Sequence, residues 1–249
     1  TSTEHVAATY HANGTDVWIM CRAYPNAQFR AYLLTPAGIV DPPVVSVVGP
    51  PLIGGNSNFN TRGELKFSVD GTRMAIACNG IAGNDATNLL AVYSFDNSTG
   101  VVSNAIVLTP GRGDFGLSFS PDGTKLYGTT WKAFGFSLND VNTLYQFDLS
   151  SGIPATINAS RTTIHSTSAP MGSLKLGPDG RIYMAADSRP YLGVIYEPNS
   201  LGQACNYVHN GLFLEGDTCN FGLNNYIEYV NCDPDEVQIV GPSTPDERL

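Results

Sequence analysis

Phe119-Ser-Pro-Asp-Gly123-Thr-Lys-Leu-Tyr127 is the stretch that decides the fold. One apolar strand runs into Asp-Gly and a second leaves it. This is the strongest short-range hairpin signal, because glycine takes the positive φ of the turn without a Cβ clash. Pro121 presets φ for that turn and keeps the preceding residue out of a helix. The unit recurs as Tyr10-His-Ala-Asn-Gly14-Thr-Asp-Val-Trp18, Phe67-Ser-Val-Asp-Gly71-Thr-Arg-Met-Ala75 and Leu176-Gly-Pro-Asp-Gly180-Arg-Ile-Tyr183. Its turn glycines lie 57, 52 and 57 residues apart, so the chain is a repeat before it is anything else.

An aromatic-rich strand ending in a glycine turn follows each unit: Phe29–Gly38, Leu90–Gly100, Thr143–Gly152 and Tyr191–Gly202. A fourth strand then closes it, at Val44–Val48, Asn104–Thr109, Ile157–Ile164 and Asn206–Leu214. Four antiparallel strands per repeat mark an all-β propeller, and no segment shows a sustained helical period. The blades are expected near 5–48, 64–109, 115–164 and 173–214, with a closing strand at 223–230 and a linker or tail over 231–249. Propellers close with about 4–8 blades, and an end blade without a neighbour exposes its flank. Four blades are therefore expected to be part of a six- to eight-bladed ring, completed by missing N-terminal propeller sequence or another subunit. On this reading the chain alone aggregates or dimerises.

The 249 residues carry 13 Lys+Arg against 22 Asp+Glu, a net charge of −9, and only 14% are charged. That balance, without a basic block, speaks against nucleic acid or an anionic membrane as a partner. No stretch approaches the roughly 18 apolar residues of a membrane span. The opening Thr1-Ser-Thr-Glu-His has neither Met nor signal-peptide character and reads as processed or excised. Abundant Asn, Thr, Ser and Gly with few Lys suits a secreted or outer-surface protein. Cys21 and Cys78 end apolar runs and read as small buried hydrophobes. Cys205 and Cys219 bracket a hairpin-like segment, and a disulfide between them is expected, worth roughly 3 kcal/mol by loop entropy.

The recurring Asp70, Asp122 and Asp179 raise the question of calcium. Hairpin chemistry accounts for each, and the six to eight converging oxygens of a calcium loop are not spelled out. His5, His11, His165 and His209 fall in different repeats without ligand spacing, and there is no Gly-x-Ser-x-Gly elbow or phosphate-cradling loop. No cofactor and no metal is expected. Binding is the better reading. Loops from the second to the third strand of a blade, and from blade to blade, share the face around the channel mouth. Those loops hold Arg22, Tyr24, Arg62, Arg112, Asp114, Trp131, Lys132, Phe134, Arg189 and Tyr191, and arginine and aromatics are enriched at recognition hot spots. Arg112-Gly-Asp114 spells an integrin-type tripeptide that chance also supplies. The expected function is non-enzymatic contact with protein or glycan within a larger exported assembly; the alternative is a propeller hydrolase or lyase with its site at the channel mouth.

Glu4-His-Val-Ala-Ala-Thr-Tyr-His-Ala-Asn-Gly-Thr-Asp-Val-Trp18, Gly177-Pro-Asp-Gly-Arg-Ile-Tyr-Met-Ala185, Tyr191-Leu-Gly-Val-Ile-Tyr-Glu-Pro-Asn199 and Phe221-Gly-Leu-Asn-Asn-Tyr-Ile227 resemble the propeller domain of large exported Bacteroidetes cell-surface and gliding-associated proteins. The likeness runs over about residues 4–230, with Asn224 where that family more often has proline. It implies an adhesive or motility-linked setting, export by type IX secretion, and further propeller ahead of the segment matching Glu4.

Overall fold

The computed structural model describes residues 2–52, 61–79, 88–109, 113–131, 141–225 and 227–229. They form four antiparallel four-stranded sheets, each with its strands in chain order, and this is a β-propeller. Blade 1 comprises β1 (Ser2–Tyr10), β2 (Val17–Ala23), β3 (Gln28–Thr35) and β4 (Gly38–Val47). Blade 2 comprises β5 (Leu65–Phe67), β6 (Arg73–Cys78), β7 (Leu89–Asp96) and β8 (Val101–Val107). In blade 3, β9 (Asp114–Phe119), β10 (Lys125–Thr130) and β11 (Asn142–Asp148) precede a short helix α1 (Pro154–Ala159) and β12 (Thr162–Thr167). Blade 4 comprises β13 (Met171–Leu176), β14 (Ile182–Ala186), β15 (Tyr191–Ile195) and β16 (Tyr207–Phe213).

The Asp-Gly turns close on their own side chains. Asp70 accepts from the Ser68 hydroxyl at 2.5 Å and the Thr72 amide at 3.0 Å, and Asp122 repeats this with Ser120 at 2.6 Å and Thr124 at 2.9 Å. Those bonds hold both carboxyls below the usual range against the opposing effect of burial. Gly71 sits at φ +65°, where a Cβ would also meet Thr9 Oγ1 of the neighbouring blade at 2.7 Å. The turn thus needs glycine for its backbone and again for blade packing.

Three apolar clusters form between consecutive blades. Met20, Phe29, Phe67, Met74 and Phe95 join blades 1 and 2; Leu90, Leu117, Phe119 and Phe147 join 2 and 3; Tyr127, Leu144, Leu174 and Met184 join 3 and 4. Blade 4 and blade 1 share no comparable strand packing among the described residues. The sheets record this difference. Met74–Cys78 and Leu89–Tyr93 in blade 2 are buried on both faces, whereas β1 alternates strictly, with Thr3, His5, Ala7 and Thr9 buried and Val6 and Tyr10 about half exposed. Leu34, Val45 and Val47 extend that open apolar face across blade 1.

Two expectations are corrected. The fourth strand of blade 3 begins at Thr162, because Pro154 starts a helix over part of the segment read as strand. With six residues and one buried side chain, Ile157, α1 has no period to detect. The expected closing strand at 223–230 is not a strand among the described residues 223–225 and 227–229. This segment lies along the inner strands and bonds to them mainly through side chains.

Candidate functional site

The inner strands β1, β5, β9 and β13 line the axis, and the chain's own tail occupies it. The Ser173 amide donates to the Phe221 carbonyl at 2.8 Å as the tail enters. Farther along, Asn225 Nδ2 donates to the carbonyls of Val6 (2.7 Å) and Leu65 (3.3 Å), and Asn225 Oδ1 accepts from Lys66 Nζ at 3.0 Å. Lys66 also pairs with Glu64 at 3.5 Å, while the other oxygen of Glu64 accepts the Leu117 amide at 2.7 Å. Glu228 meets Lys175 at 3.7 Å. Burial pushes the Glu228 carboxyl up although Lys66 and Lys175 oppose it, and burial lowers Lys175. Two cations and two carboxylates thus neutralise one another where a propeller's channel would run. None of these residues was anticipated from the sequence, since the partners come from different blades and the tail.

Four of the seven described loop residues read as a binding face, Arg22, Asp114, Tyr24 and Trp131, serve packing. Arg22 is fully buried: its guanidinium lies 4.6 Å over the Phe29 ring and donates to the Pro50 carbonyl at 2.6 Å. Asp114 is also fully buried and accepts from Tyr145 Oη at 2.8 Å, which removes the integrin-type reading of its tripeptide. Tyr24 packs against the cluster between blades 1 and 2. Arg62 is half-buried, and its carbonyl accepts from the Asn79 amide. Trp131 packs edge-on against Phe115 (5.2 Å) and at a tilt against Phe221 (4.6 Å) where the tail enters. Arg112, Lys132, Phe134 and the tail 231–249 lie outside the described residues.

The expected Cys205–Cys219 disulfide is absent; both thiols are free. Cys205 ends a 3₁₀ turn at Gly202–Cys205, and its carbonyl accepts from the Glu197 amide, whereas Cys219 pairs with Arg189. The strand Tyr191–Ile195 lies between Arg189 and Glu197 and alone spans roughly 13 Å, beyond the about 7 Å Cα limit of a disulfide. The two cysteines are close in sequence but stand at opposite ends of the β15–β16 hairpin.

Arg189 and Tyr191 do come together, in a groove of about 440 Å³ between the end of blade 3 and blade 4 that Thr167, Ser168, His209 and Asn210 also line. Arg189 is exposed on a pinned turn: the Ser188 amide donates to Cys219 O (2.8 Å), the Arg189 amide to Ala186 O (3.1 Å), and Arg189 O accepts from the Cys219 amide (2.9 Å). Ser188 holds φ +56°, a conformation non-glycine residues seldom adopt. Tyr191 packs on Phe213 at 5.2 Å. His209 stacks on His165 at 4.8 Å, and its Nδ1 lies 2.9 Å from Tyr207 Oη. Burial, then His165 and Arg189, lower the His209 pKa. The sequence shows these histidines as solitary, yet both sit on fourth strands of consecutive blades, and blade packing stacks them.

No family model and no curated protein matches the chain. Among solved structures it is similar to hydrazine synthase of Kuenenia stuttgartiensis (11% identity, TM-score 0.49, covering 79% of this chain and 55% of that one). It is also similar to TolB of Acinetobacter baumannii (14%, 0.43, 81% and 42%) and to a gluconolactonase of Xanthomonas campestris (12%, 0.41, 83% and 62%). The chain spans about half the length of the structures it matches.

Proposed function

We propose that this propeller is a non-enzymatic binding module of an exported, surface-exposed protein, and that it takes a protein or glycan ligand in the rim groove between blades 3 and 4. The observation that carries this reading is the pairing of a plugged axis with an open, pre-shaped groove. At the axis Lys66 pairs with Glu64 and Lys175 with Glu228, whereas Arg189 stands exposed in the groove that Tyr191 also lines. An exposed arginine and a packed aromatic on rigid supports are favourable recognition elements. Export and a surface setting rest on composition and on the motif likeness. We also propose that the open face of blade 1 packs against a further blade, from preceding sequence or another subunit, because its alternation leaves an apolar face uncovered that the blade 2 pattern buries.

The test is amide NMR of the whole chain against panels of extracellular glycans and peptides. A ligand should shift residues 187–191 and 207–213, lose that effect with Arg189→Ala or Tyr191→Ala, and be recovered unchanged. Chemical turnover of the ligand, or shifts confined to the axis, would reject the reading.

A further inference from the structure

We propose that the rim groove is a site for a uronic-acid residue, a sugar carrying a carboxylate; this deepens the binding reading and rests on it. Its chemistry selects the ligand class in three steps. The first is charge. None of the residues lining the groove is acidic, in a chain whose net charge is −9, and one of them is an arginine. The Arg189 guanidinium has no carboxylate partner among the described residues, and its backbone is bonded on both sides, so the root of the side chain is fixed at the groove before a ligand arrives. A guanidinium fork matches a carboxylate through two parallel hydrogen bonds.

The second step is shape. Tyr191 is half-buried and backed by Phe213, so it presents a supported ring to the groove. Such a ring suits a flat apolar face. A sugar ring has that face and a bare inorganic anion does not. The third step is polarity. Thr167, Ser168 and Asn210 bring hydroxyls and an amide to the same space, which suit a ligand rich in hydroxyls. His209 adds a ring held in place by Tyr207 and His165, and its Nε2 has no partner among the described residues. A volume of about 440 Å³ falls within the roughly 300–1,000 Å³ of small-molecule sites. A carboxylate, several hydroxyls and an apolar face on one small ring describe a uronate.

The experiment titrates the whole chain with trigalacturonate, with neutral maltotriose and with succinate, read by calorimetry and by amide NMR at residues 187–191 and 207–213. The expected result is trigalacturonate binding at least tenfold tighter than either comparison, weakened at least tenfold by Arg189→Ala and by Tyr191→Ala. Both residues line the groove, and a thermal melt within a few degrees of the parent shows that each variant is folded. Maltotriose binding as tightly as trigalacturonate would overturn the acidic-sugar assignment while leaving a glycan groove. Succinate binding as tightly would reduce the site to a simple anion site and overturn it likewise. If no probe shifts the groove residues, the uronate proposal fails; if the glycan and peptide panels also leave them unmoved, the binding reading fails with it.

Discussion

Replacing His5 by glutamine should remove a pH dependence of stability that the blade 1–blade 2 interface imposes. His5 is fully buried in β1; Nε2 lies 2.9 Å from the Ala77 carbonyl and Nδ1 2.9 Å from Thr3 Oγ1. The carbonyl can only accept, so Nε2 carries the hydrogen, and burial beside the Arg22 charge keeps the ring neutral; the single Thr3 hydroxyl hydrogen has two acceptors in reach, His5 Nδ1 at 2.9 Å and the Arg22 carbonyl at 3.2 Å. Burial is the main cause that brings its pKa from 6.5 down to about 4, and the nearby Arg22 charge adds to it. As pH falls below 6.5, the unfolded chain binds a proton at His5 that the folded chain refuses until about pH 4. Stability therefore declines across that window and the loss is complete below it. At roughly 1.4 kcal/mol per pH unit the window is worth about 3 kcal/mol. Urea unfolding followed by tryptophan fluorescence at pH 7 and pH 4.5 should show the parent losing about 2–3 kcal/mol more than His5→Gln, the carboxylates contributing equally to both. Equal losses in parent and variant would refute the neutral, buried histidine.

Further outcomes follow from the axis, the hairpin ends and the open blade. Glu228→Ala leaves half-buried Lys175 without its counter-charge, while Lys66 keeps Glu64, and should cost about 1–3 kcal/mol in denaturant unfolding; a cost under about 0.5 kcal/mol would mean the tail does not hold its place on the axis. Intact mass without reductant should show no bond between Cys205 and Cys219, and maleimide should label half-buried Cys219 in the folded protein but buried Cys205 only on unfolding. A crosslinked 205–219 peptide pair would contradict the geometry. Sedimentation should show concentration-dependent self-association through the blade 1 face, abolished by Val45→Glu together with Val47→Glu. A parent that stays monomeric at high concentration would contradict that use of the face.

The blades were legible in the sequence because their determinants are local. A glycine at positive φ, an Asx turn and two short alternating strands lie within about ten residues, and the repeat supplies four copies. The site was only half legible, for a physical reason. Strand order places a loop on the mouth face, but it does not say whether a side chain there turns into an interblade seam. Arg22 does so and meets Tyr93, 71 residues away; Arg189 does not. Where a blade is buried on both faces the period-two signal disappears, so inward and outward cannot be told apart from pattern alone. The His165–His209 stack and the axial ion pairs join residues from separate elements and leave no mark on spacing. Helix α1 escaped detection because one buried residue makes no period.

The tail threaded along the axis also orders events during synthesis. Asn225 bonds to the Val6 carbonyl across 219 residues of sequence and to Leu65 across 160. Interblade clusters can form one after another as each blade leaves the ribosome, since each needs only its predecessor. The axial bonds cannot form until nearly the whole described chain is out. At roughly 5–20 residues per second, the stretch from Lys66 to Asn225 takes about 8–32 s to emerge, and over that time Lys66 has Glu64 beside it but no Asn225. Contacts of such long sequence separation are slow to form, so the nascent propeller passes through a stage in which its blades are built and its centre is still wet.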